Sequence, residues 1–156
     1  MRVAVASDHA GWRVKEGLKR LLAEAGHSVE DFGCASEEAC DYPDFVLPAA
    51  RAVAEGRCER GIVLGGSGNG EAMAANKVRG IRAAVVTDPF TAEMARRHND
   101  ANAASFGTRI LPEGRIGELA AIFLATPFDG GRHGRRVAKI AAYEEGRKGG
   151  EGPGGA

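Results

Sequence analysis

The segment LGGSGNGEAM, residues 64–73, places four glycines within six positions and follows them directly with Glu71. A glycine-rich turn at the start of a helix exposes backbone N–H groups, and such groups stabilise negative charge. A carboxylate beside them repels a permanent phosphate, but it suits a reaction in which it removes a proton from carbon while the amides hold the resulting oxyanion. The segment therefore predicts proton abstraction next to a carbonyl, with Glu71 as the base and the Ser67 hydroxyl as a further donor.

Two familiar phosphate-binding motifs do not fit this loop. A Walker A motif requires a lysine after its last glycine, and no lysine follows Gly70. The dinucleotide fingerprint requires glycines two and then three positions apart, whereas Gly66, Gly68 and Gly70 are two and two apart. Asp88 does lie about 20 residues beyond the loop, as a ribose-binding acid would, so a nucleotide-binding module stays an alternative. A purely structural Glu71 that complements the helix dipole also stays open.

Short apolar runs alternate with longer amphipathic stretches, which predicts alternating strands and helices. We expect strands at 2–7, 27–33, 60–66, 81–87 and 101–110, and helices at 11–26, 41–56, 70–78, 88–99, 114–126 and 131–146. Such alternation implies an α/β fold, with a parallel sheet between layers of helices. Ligands bind such sheets at the carboxyl ends of the strands. The predicted rim therefore gathers residues 7–9, 65–71, 87–88 and 107–109.

Local signals refine three of the helices. Asp88 is expected to cap the helix at 88–99, with Pro89 in the first helical position. Pro48 is expected to kink or shorten the first turn of the helix at 41–56. The helix at 11–26 should bury one apolar face, composed of Val14, Leu18, Leu21, Leu22 and Ala25.

Further polar side chains follow the predicted strands and helices. Asp8 and His9 end the first strand, where a helix cap and a surface histidine are the plain alternatives. His98 and Asn99 end the helix at 88–99, where a histidine also suits the helix dipole. Each position is compatible with a role in the same site as Glu71.

Arginines supply candidate phosphate ligands. Arg132 and Arg136 are four residues apart and share a helix face, so they could hold a phosphate from two sides. Arg109, at a strand end, is a third candidate. A solvated basic face or a nucleic-acid contact is the alternative, although 6% aromatic content and zero net charge argue against nucleic acid. Four further basic residues are expected to be ordinary surface groups: Arg96, Arg97, His133 and Arg135.

The composition is that of one globular domain. The chain has 156 residues, 44% hydrophobic and 27% charged, with a formal net charge of zero. Three cysteines without metal-ligand spacing indicate free thiols in a reducing compartment. The N-terminal apolar run is too short for a signal peptide, and no segment is long enough to span a membrane. We expect a cytoplasmic protein with one domain at 1–146 and a disordered tail at 147–156.

Seven motifs carry a resemblance to a known family. They are SDHAG, DYPDF, GGSGNGE, NKVRGIRAA, RRHNDAN, FGTR and GGRHGRR, in this order between residue 1 and about 146. Together they resemble the type B ribose-5-phosphate isomerases, a family that includes galactose- and allose-6-phosphate isomerases. The resemblance implies a Rossmann-like three-layer sandwich with a central parallel sheet of about five strands. It also implies an aldose–ketose isomerase without metal or cofactor, acting on a phosphorylated sugar as a homodimer or a pair of dimers, with no nucleic-acid or membrane partner.

The resemblance implies roles in the reaction for several residues. Glu71 would move the proton between C1 and C2 of the sugar. Ser67 and the amides of Gly68, Asn69 and Gly70 would hold the enediolate. Asp8 and His98 would assist opening of the furanose ring.

The same resemblance implies the binding residues. Asn99 would bind a sugar hydroxyl, and both His98 and Asn99 would come from the neighbouring subunit. The phosphate ligands would be His9, Arg109, Arg132 and Arg136.

One position separates two branches of this family. In one branch the base is a cysteine just before the glycine loop, but that position is Gly65 here. The combination of Gly65 with Glu71 resembles the other branch, in which a glutamate is the base. The expected reaction is interconversion of ribose 5-phosphate and ribulose 5-phosphate. A six-carbon sugar phosphate as substrate, a non-catalytic nucleotide- or phosphosugar-binding module, and an arginine-rich nucleic-acid binder remain alternatives.

Overall fold

The computed structural model describes residues 1–146, within which strands and helices alternate. The elements are β1 (Arg2–Ser7), α1 (Trp12–Glu24), β2 (Ser28–Asp31), α2 (Pro43–Ala54), β3 (Arg60–Gly65), α3 (Asn69–Ala75), β4 (Ala83–Val85), α4 (Pro89–Arg97), β5 (Ala103–Gly107), α5 (Glu113–Ala125) and α6 (Gly131–Glu144). The strands form one sheet in the order β2-β1-β3-β5-β4, and every neighbouring pair is parallel. The predicted α/β fold with about five parallel strands is confirmed.

Two apolar clusters, one on each face of the sheet, make the three layers. Val3 and Val5 of β1 pack with α1, α4 and α5, whereas Ala4 and Ala6 pack with α2 and α3. This alternation follows from the two-residue period of a strand, which sends successive side chains to opposite faces. Neither cluster includes a described residue of α6. That helix is therefore not part of the core of its own chain.

The buried face of α1 differs from the predicted one. Leu18 and Leu22 are buried as expected, but Leu21 and Ala25 are exposed. Lys15 takes their place, with only 1% of its surface exposed. Its Nζ donates hydrogen bonds to Asp31 Oδ1 at 2.6 Å and to the Cys34 carbonyl at 2.8 Å. A buried lysine is tolerated here because a carboxylate and a carbonyl replace its water.

Two helix predictions have opposite outcomes. Asp88 caps α4 as expected: its Oδ1 accepts a hydrogen bond from the Thr91 amide at 2.8 Å, and Thr91 Oγ1 accepts from the Asp88 amide at 3.1 Å. The expectation that Pro48 shortens the first turn of its helix is wrong, because α2 begins at Pro43 and continues through Pro48, while a kink there stays a prediction. Burial of five residues of α2 offsets the hydrogen bond that proline cannot donate.

Two predictions concern a membrane span and the C-terminal tail. Among residues 1–146, no helix combines the length and the apolar character that crossing a membrane requires. The tail predicted to be disordered, 147–156, lies outside the described residues. The domain boundary at residue 146 therefore stays a prediction.

Candidate active site

A cavity of about 540 Å³ lies at the carboxyl ends of β1, β3 and β5. The position agrees with the rule that α/β sheets bind ligands at this edge. Its lining includes six of the predicted site residues: Asp8, His9, Ser67, Gly70, Glu71 and Arg109. β3 lies between β1 and β5 in the sheet, which is why the residues that follow these three strands meet.

One part of the predicted rim does not reach this cavity. Thr87 and Asp88 follow the edge strand β4 and are absent from the cavity lining. The Asp88 carboxylate is occupied by the cap of α4, since it accepts hydrogen bonds from the Thr91 amide and, at 3.1 Å, from the Thr87 hydroxyl. Asp88 is therefore not positioned as the ribose-binding acid of a nucleotide site.

The glycine loop between β3 and α3 is attached to β5. Gly68 has a φ of 80°, a conformation that strains residues with a side chain, and a Cβ there would approach the Phe106 carbonyl carbon at 3.0 Å. Ser105 Oγ donates a hydrogen bond to the Gly68 carbonyl at 2.6 Å. The Asn69 amide donates to Ser67 Oγ at 3.3 Å. These contacts hold the loop in one shape against the neighbouring strand.

Glu71 is the buried carboxylate of the cavity, with 4% of its surface exposed. Its carboxylate occupies the space beside Gly65, where a Cβ would overlap Oε1 and Cδ of Glu71. Burial, together with the nearby charge of Asp8, raises the pKa of Glu71, although backbone hydrogen bonds to the carboxylate oppose the shift. A raised pKa makes the carboxylate a stronger base. Because Glu71 is buried, it is not simply an exposed carboxylate that complements the dipole of α3.

Asp8 and His9 extend the site from the end of β1. Asp8 Oδ1 accepts a hydrogen bond from the Gly11 amide at 3.1 Å, which fixes the turn into α1. The His9 Nδ1 atom lies 3.3 Å from both the amide nitrogen and the carbonyl oxygen of Cys40. The neutral ring can accept from that amide and the protonated ring can donate to that carbonyl. Cys40 thus supports the imidazole in either protonation state.

Arg109 brings positive charge to the lining of the cavity. Its side chain lies beside Gly66, with Cδ, Nε and Cζ each 3.5 Å from where a Cβ would be. Its amide donates a hydrogen bond to the Gly66 carbonyl at 3.0 Å. Within residues 1–146 no carboxylate forms a salt bridge with Arg109. Its charge is therefore available to an anionic ligand.

Two further residues support the site, although neither was assigned a role from the sequence and only Thr108 belonged to the predicted rim. Tyr42 lines the cavity, and its ring carbon Cζ lies 2.8 Å from where a Gly70 Cβ would be, so the ring packs directly on the loop. Thr108 Oγ1 donates to the carbonyls of Ala10 and Gly65 at 3.0 and 3.1 Å, which ties the ends of three strands together. Both occur within the motifs DYPDF and FGTR, which was the signal available for them.

The remaining predicted residues form a second group, away from this cavity. The rings of His98 and His133 stack with centroids 4.0 Å apart and planes 5° apart. We call His98, Asp129 and His133 the histidine cluster. The prediction that His133 is an ordinary surface residue is wrong: it is 7% exposed, because the first turn of α6 lays its ring against His98. No member of the cluster lines the Glu71 cavity.

The electrostatics of the histidine cluster favour an anion. Burial lowers the pKa of His133, the positive charges of His98, Arg132 and Arg136 lower it further, and only Asp129 opposes the shift. Among the described residues, the cluster is the one group of side chains whose donor atoms, within 4.8 Å of one another, could hold a metal ion. However, Arg97 Nε already donates to both Asp129 carboxylate oxygens at 3.1 Å. The excess of positive charge therefore suits a phosphate better than a cation.

The other predicted ligands of this group lie on α6 and at the end of α4. Arg132 and Arg136 are exposed on α6, and Asn99 is exposed beside a different cavity. Arg96, expected at the surface, is buried instead: Nη1 donates to Asp100 Oδ1 at 2.9 Å and to the Ala101 carbonyl at 2.5 Å. Those bonds fix the turn after α4 that carries His98 and Asn99.

Fold and site together define a class of protein. A doubly covered parallel sheet carries, at its carboxyl edge, a buried basic carboxylate, a glycine-rich loop at a helix N-terminus and an arginine that has no salt bridge within residues 1–146. This combination is typical of an enzyme that moves protons on a small anionic substrate. Comparison with known proteins then identifies the family. Residues 3–140 match the family model described as Ribose/Galactose Isomerase, and the chain belongs to that family.

Individual relatives agree with this assignment over nearly the whole chain. The chain is 38% identical to ribose-5-phosphate isomerase B of Escherichia coli over 146 residues, covering 94% of this chain and 98% of that protein. It is similar to the structure of ribose-5-phosphate isomerase B from Clostridium thermocellum, with a TM-score of 0.92, 43% identity and coverage of 95% and 100%. The structure of the Mycoplasma genitalium enzyme with bound ribulose-5-phosphate matches with a TM-score of 0.89, 36% identity and coverage of 92% and 96%. The family predicted from the seven motifs is confirmed.

Proposed function

We propose that this protein interconverts ribose 5-phosphate and ribulose 5-phosphate, with Glu71 carrying the proton between C2 and C1 through an enediolate. The observation that carries this proposal is the buried Glu71 carboxylate, with its raised pKa, beside the glycine loop in the cavity at the strand ends. Membership of the ribose/galactose isomerase family supports the reaction type. The names of the close relatives support the five-carbon substrate.

Glu71 and the glycine loop have different roles in the proposed reaction. Glu71 removes the proton from the carbon next to the carbonyl, and the charge that develops on oxygen is stabilised by the amides of residues 68–70 and the Ser67 hydroxyl. Each such donor contributes roughly 3–4 kcal/mol to the barrier in comparable sites. A positioned general base contributes a factor of about 10²–10⁴. The same carboxyl group then returns the proton to the neighbouring carbon.

Substrate binding requires more than one chain in this proposal. His9 and Arg109 take the phosphate from the side of the Glu71 cavity, and Arg132 and Arg136 take it from α6. Asp8 and His98 open the sugar ring, and Asn99 binds a hydroxyl. Within one chain these residues belong to two separate groups, so a partner subunit supplies the second group.

The surface of α6 supports a homodimer. This helix lies outside both apolar clusters of its own chain, yet it presents the exposed side chains of Ile140 and Tyr143, the latter 80% exposed. Large apolar side chains exposed on a helix outside the core favour packing against a second copy. Such packing would place the histidine cluster of one chain near the Glu71 cavity of its partner.

A coupled isomerase assay tests the reaction. We expect turnover of ribose 5-phosphate that persists in EDTA, with a larger kcat/KM than for allose 6-phosphate or galactose 6-phosphate. A preference for a six-carbon substrate would contradict the proposed substrate. Binding of NAD or AMP without any turnover would contradict the enzyme assignment in favour of a nucleotide-binding module.

A mixed dimer tests whether the site is shared. One subunit carries Glu71→Gln with one affinity tag, and the other carries His98→Ala with a second tag. Purification on both tags yields heterodimers in which one of the two sites combines unaltered Glu71 with unaltered His98. We expect about half of the wild-type kcat, although each homodimeric variant is nearly inactive. A heterodimer as inactive as its parents would show that both residues act within one chain.

A further inference from the structure

Two cysteines bracket an exposed turn beside the Glu71 cavity. Cys34 is buried, Cys40 is half-buried, and the five residues between them, 35–39, are all exposed. Both side chains lie against the end of β1. Cys34 Sγ is 4.0 Å from Ser7 Oγ, and Cys40 Sγ is 4.0 Å from His9 Nδ1. Neither thiol has a part in the proposed isomerase reaction.

The two thiols belong to the same turn, six residues apart. Burial raises the pKa of Cys40, and so does its interaction with Cys34, whose Sγ donates a hydrogen bond to the Ser36 carbonyl at 3.2 Å within the turn. The main chain of Cys34 is tied to β1, since its amide donates to the Ser7 carbonyl at 2.8 Å, whereas residues 35–42 contain no helix or strand and can adjust without breaking the sheet. A disulfide requires the two Cβ atoms to approach to about 4 Å, and an adjustable segment between the two cysteines lets Cys40 move to meet that distance. The third cysteine, Cys58, is buried elsewhere, against Glu30, at 3.5 Å from Oε2.

The same turn supports part of the active site. The main chain of Cys40 lies at hydrogen-bond distance from His9 Nδ1 through both its amide and its carbonyl. Two residues later, Tyr42 lines the Glu71 cavity. A movement of Cys40 towards Cys34 would therefore withdraw the support of the His9 ring and shift one wall of the cavity.

We propose that Cys34 and Cys40 form a reversible disulfide that displaces Cys40 from His9 and weakens substrate binding. The oxidant is a low-molecular-weight disulfide such as oxidised glutathione. The Cys40 thiolate attacks one sulfur of that disulfide and releases one thiol. Cys34, after losing its proton, then attacks the mixed disulfide at Cys40 and releases the second thiol. Two protein thiols are oxidised, one disulfide is reduced to two thiols, and the bridge closes a loop around residues 35–39.

The surroundings of Cys40 set the expected kinetics. The groups that face it are Cys34 and Asp8, which raise its pKa, and His9, which lowers it. Fewer thiolates at neutral pH slow the first attack, so bridge formation should accelerate as the pH rises. The raised pKa also means that the surroundings stabilise the Cys40 thiolate poorly. Reduction of the bridge is therefore less favourable, and the bridge is stable once formed. Slow closure and difficult reversal suit a response to sustained oxidation.

The experiment exposes the whole protein to oxidised glutathione and follows mass, peptides and activity. We expect the loss of two hydrogen atoms, a peptide linking residues 34 and 40, and a rise in KM of about tenfold with a smaller change in kcat, which dithiothreitol reverses. Cys34→Ser and Cys40→Ser should each abolish the response. Cys58→Ser is the matched control and should keep it.

Several results would overturn the proposal. They are an absent 34–40 peptide, a bridge that leaves KM unchanged, and inhibition that survives in Cys34→Ser and Cys40→Ser. The KM measurement rests on the proposed function, so a second readout is independent of it. The chain has four histidines, and the His9 imidazole resonance should shift on oxidation of the Cys58→Ser variant. An unchanged His9 signal contradicts the coupling even if the protein turns over no sugar phosphate.

Discussion

Replacing Glu71 with Gln is expected to lower kcat by about 10²–10⁴ while KM changes little. The substitution keeps the size of the side chain and removes only the ability to take a proton. The substrate contacts proposed for His9 and Arg109 do not depend on this change, so binding should be preserved. Steady-state kinetics on ribose 5-phosphate, together with binding of an inert substrate analogue, would separate the two effects. A variant that retains wild-type kcat would refute the assignment of Glu71 as the base.

A matched control comes from α5. Glu113 also lies in the first turn of a helix, but it is exposed. If Glu71 acted only by complementing a helix dipole, Glu71→Gln and Glu113→Gln would have similar effects on activity. We expect Glu113→Gln to leave kcat and KM unchanged and to alter stability by less than about 0.5 kcal/mol.

The Glu71→Gln variant should also be more stable than the wild type at neutral pH. Folding raises the pKa of Glu71, so the protonated form is favoured in the folded state. The contribution of a group with a raised pKa is fully present below the pKa of the unfolded chain, about 4.3, and is lost as the pH rises through the folded pKa. Gln cannot ionise, so Glu71→Gln avoids that loss. Calorimetry should give a higher Tm for the variant at pH about 8, and a difference that shrinks towards pH about 4.5.

The opposite pH trend would be equally informative. A Tm advantage that grew on acidification would mean that the ionised carboxylate is stabilised by folding. In that case burial would not be the main influence on the pKa of Glu71. The expected combination of lower activity with higher stability is typical of a residue kept for chemistry, since ionised carboxylates are costly to bury.

Helices and strands were predicted well where the signal for them lies within a few consecutive residues. The cap at Asp88 and the apolar run of β3 are examples, because both depend on neighbours along the chain. The edge strand β4 shows the limit. It was expected at 81–87 but comprises Ala83–Val85, and on its open side the Asn76 side chain bonds both the amide and the carbonyl of Ala83, at 2.8 and 2.9 Å. A side chain that replaces a strand neighbour has no periodic signature.

The part of the site that lies on the single loop from β3 to α3 could be predicted from the sequence. Gly65 to Glu71 is contiguous, so the pairing of base and amides could be inferred directly from the sequence. The buried ring of His133 and the buried ammonium of Lys15 depend on partners distant in sequence. Their residue types predict exposure, and only the packing of α6 on α4 and of α1 on the turn after β2 reverses that expectation.

Replacing Gly65 with Ala is expected to lower kcat by about 10²-fold by displacing the Glu71 carboxylate. A Cβ at residue 65 would overlap Oε1 and Cδ of Glu71. Those atoms are the end of a flexible side chain, so the carboxylate turns away and the fold is kept. A displacement of about 1 Å in a catalytic group can cost a factor of about 10². The same overlap means that any side chain at residue 65, a cysteine included, would compete with the Glu71 carboxylate for one space.

Kinetics and Tm of three variants check this explanation. Gly114→Ala is the matched control: no atom lies within 4 Å of its added Cβ, so activity should be unchanged and α5 slightly more stable. The double variant Gly65→Ala/Glu71→Gln should be no slower than Glu71→Gln, because the alanine acts only through a carboxylate that the double variant lacks. A further loss in the double variant would mean that the alanine acts by another route, such as the bond from the Thr108 amide to the Gly65 carbonyl at 2.8 Å. Full activity of Gly65→Ala would contradict the position of the Glu71 carboxylate itself.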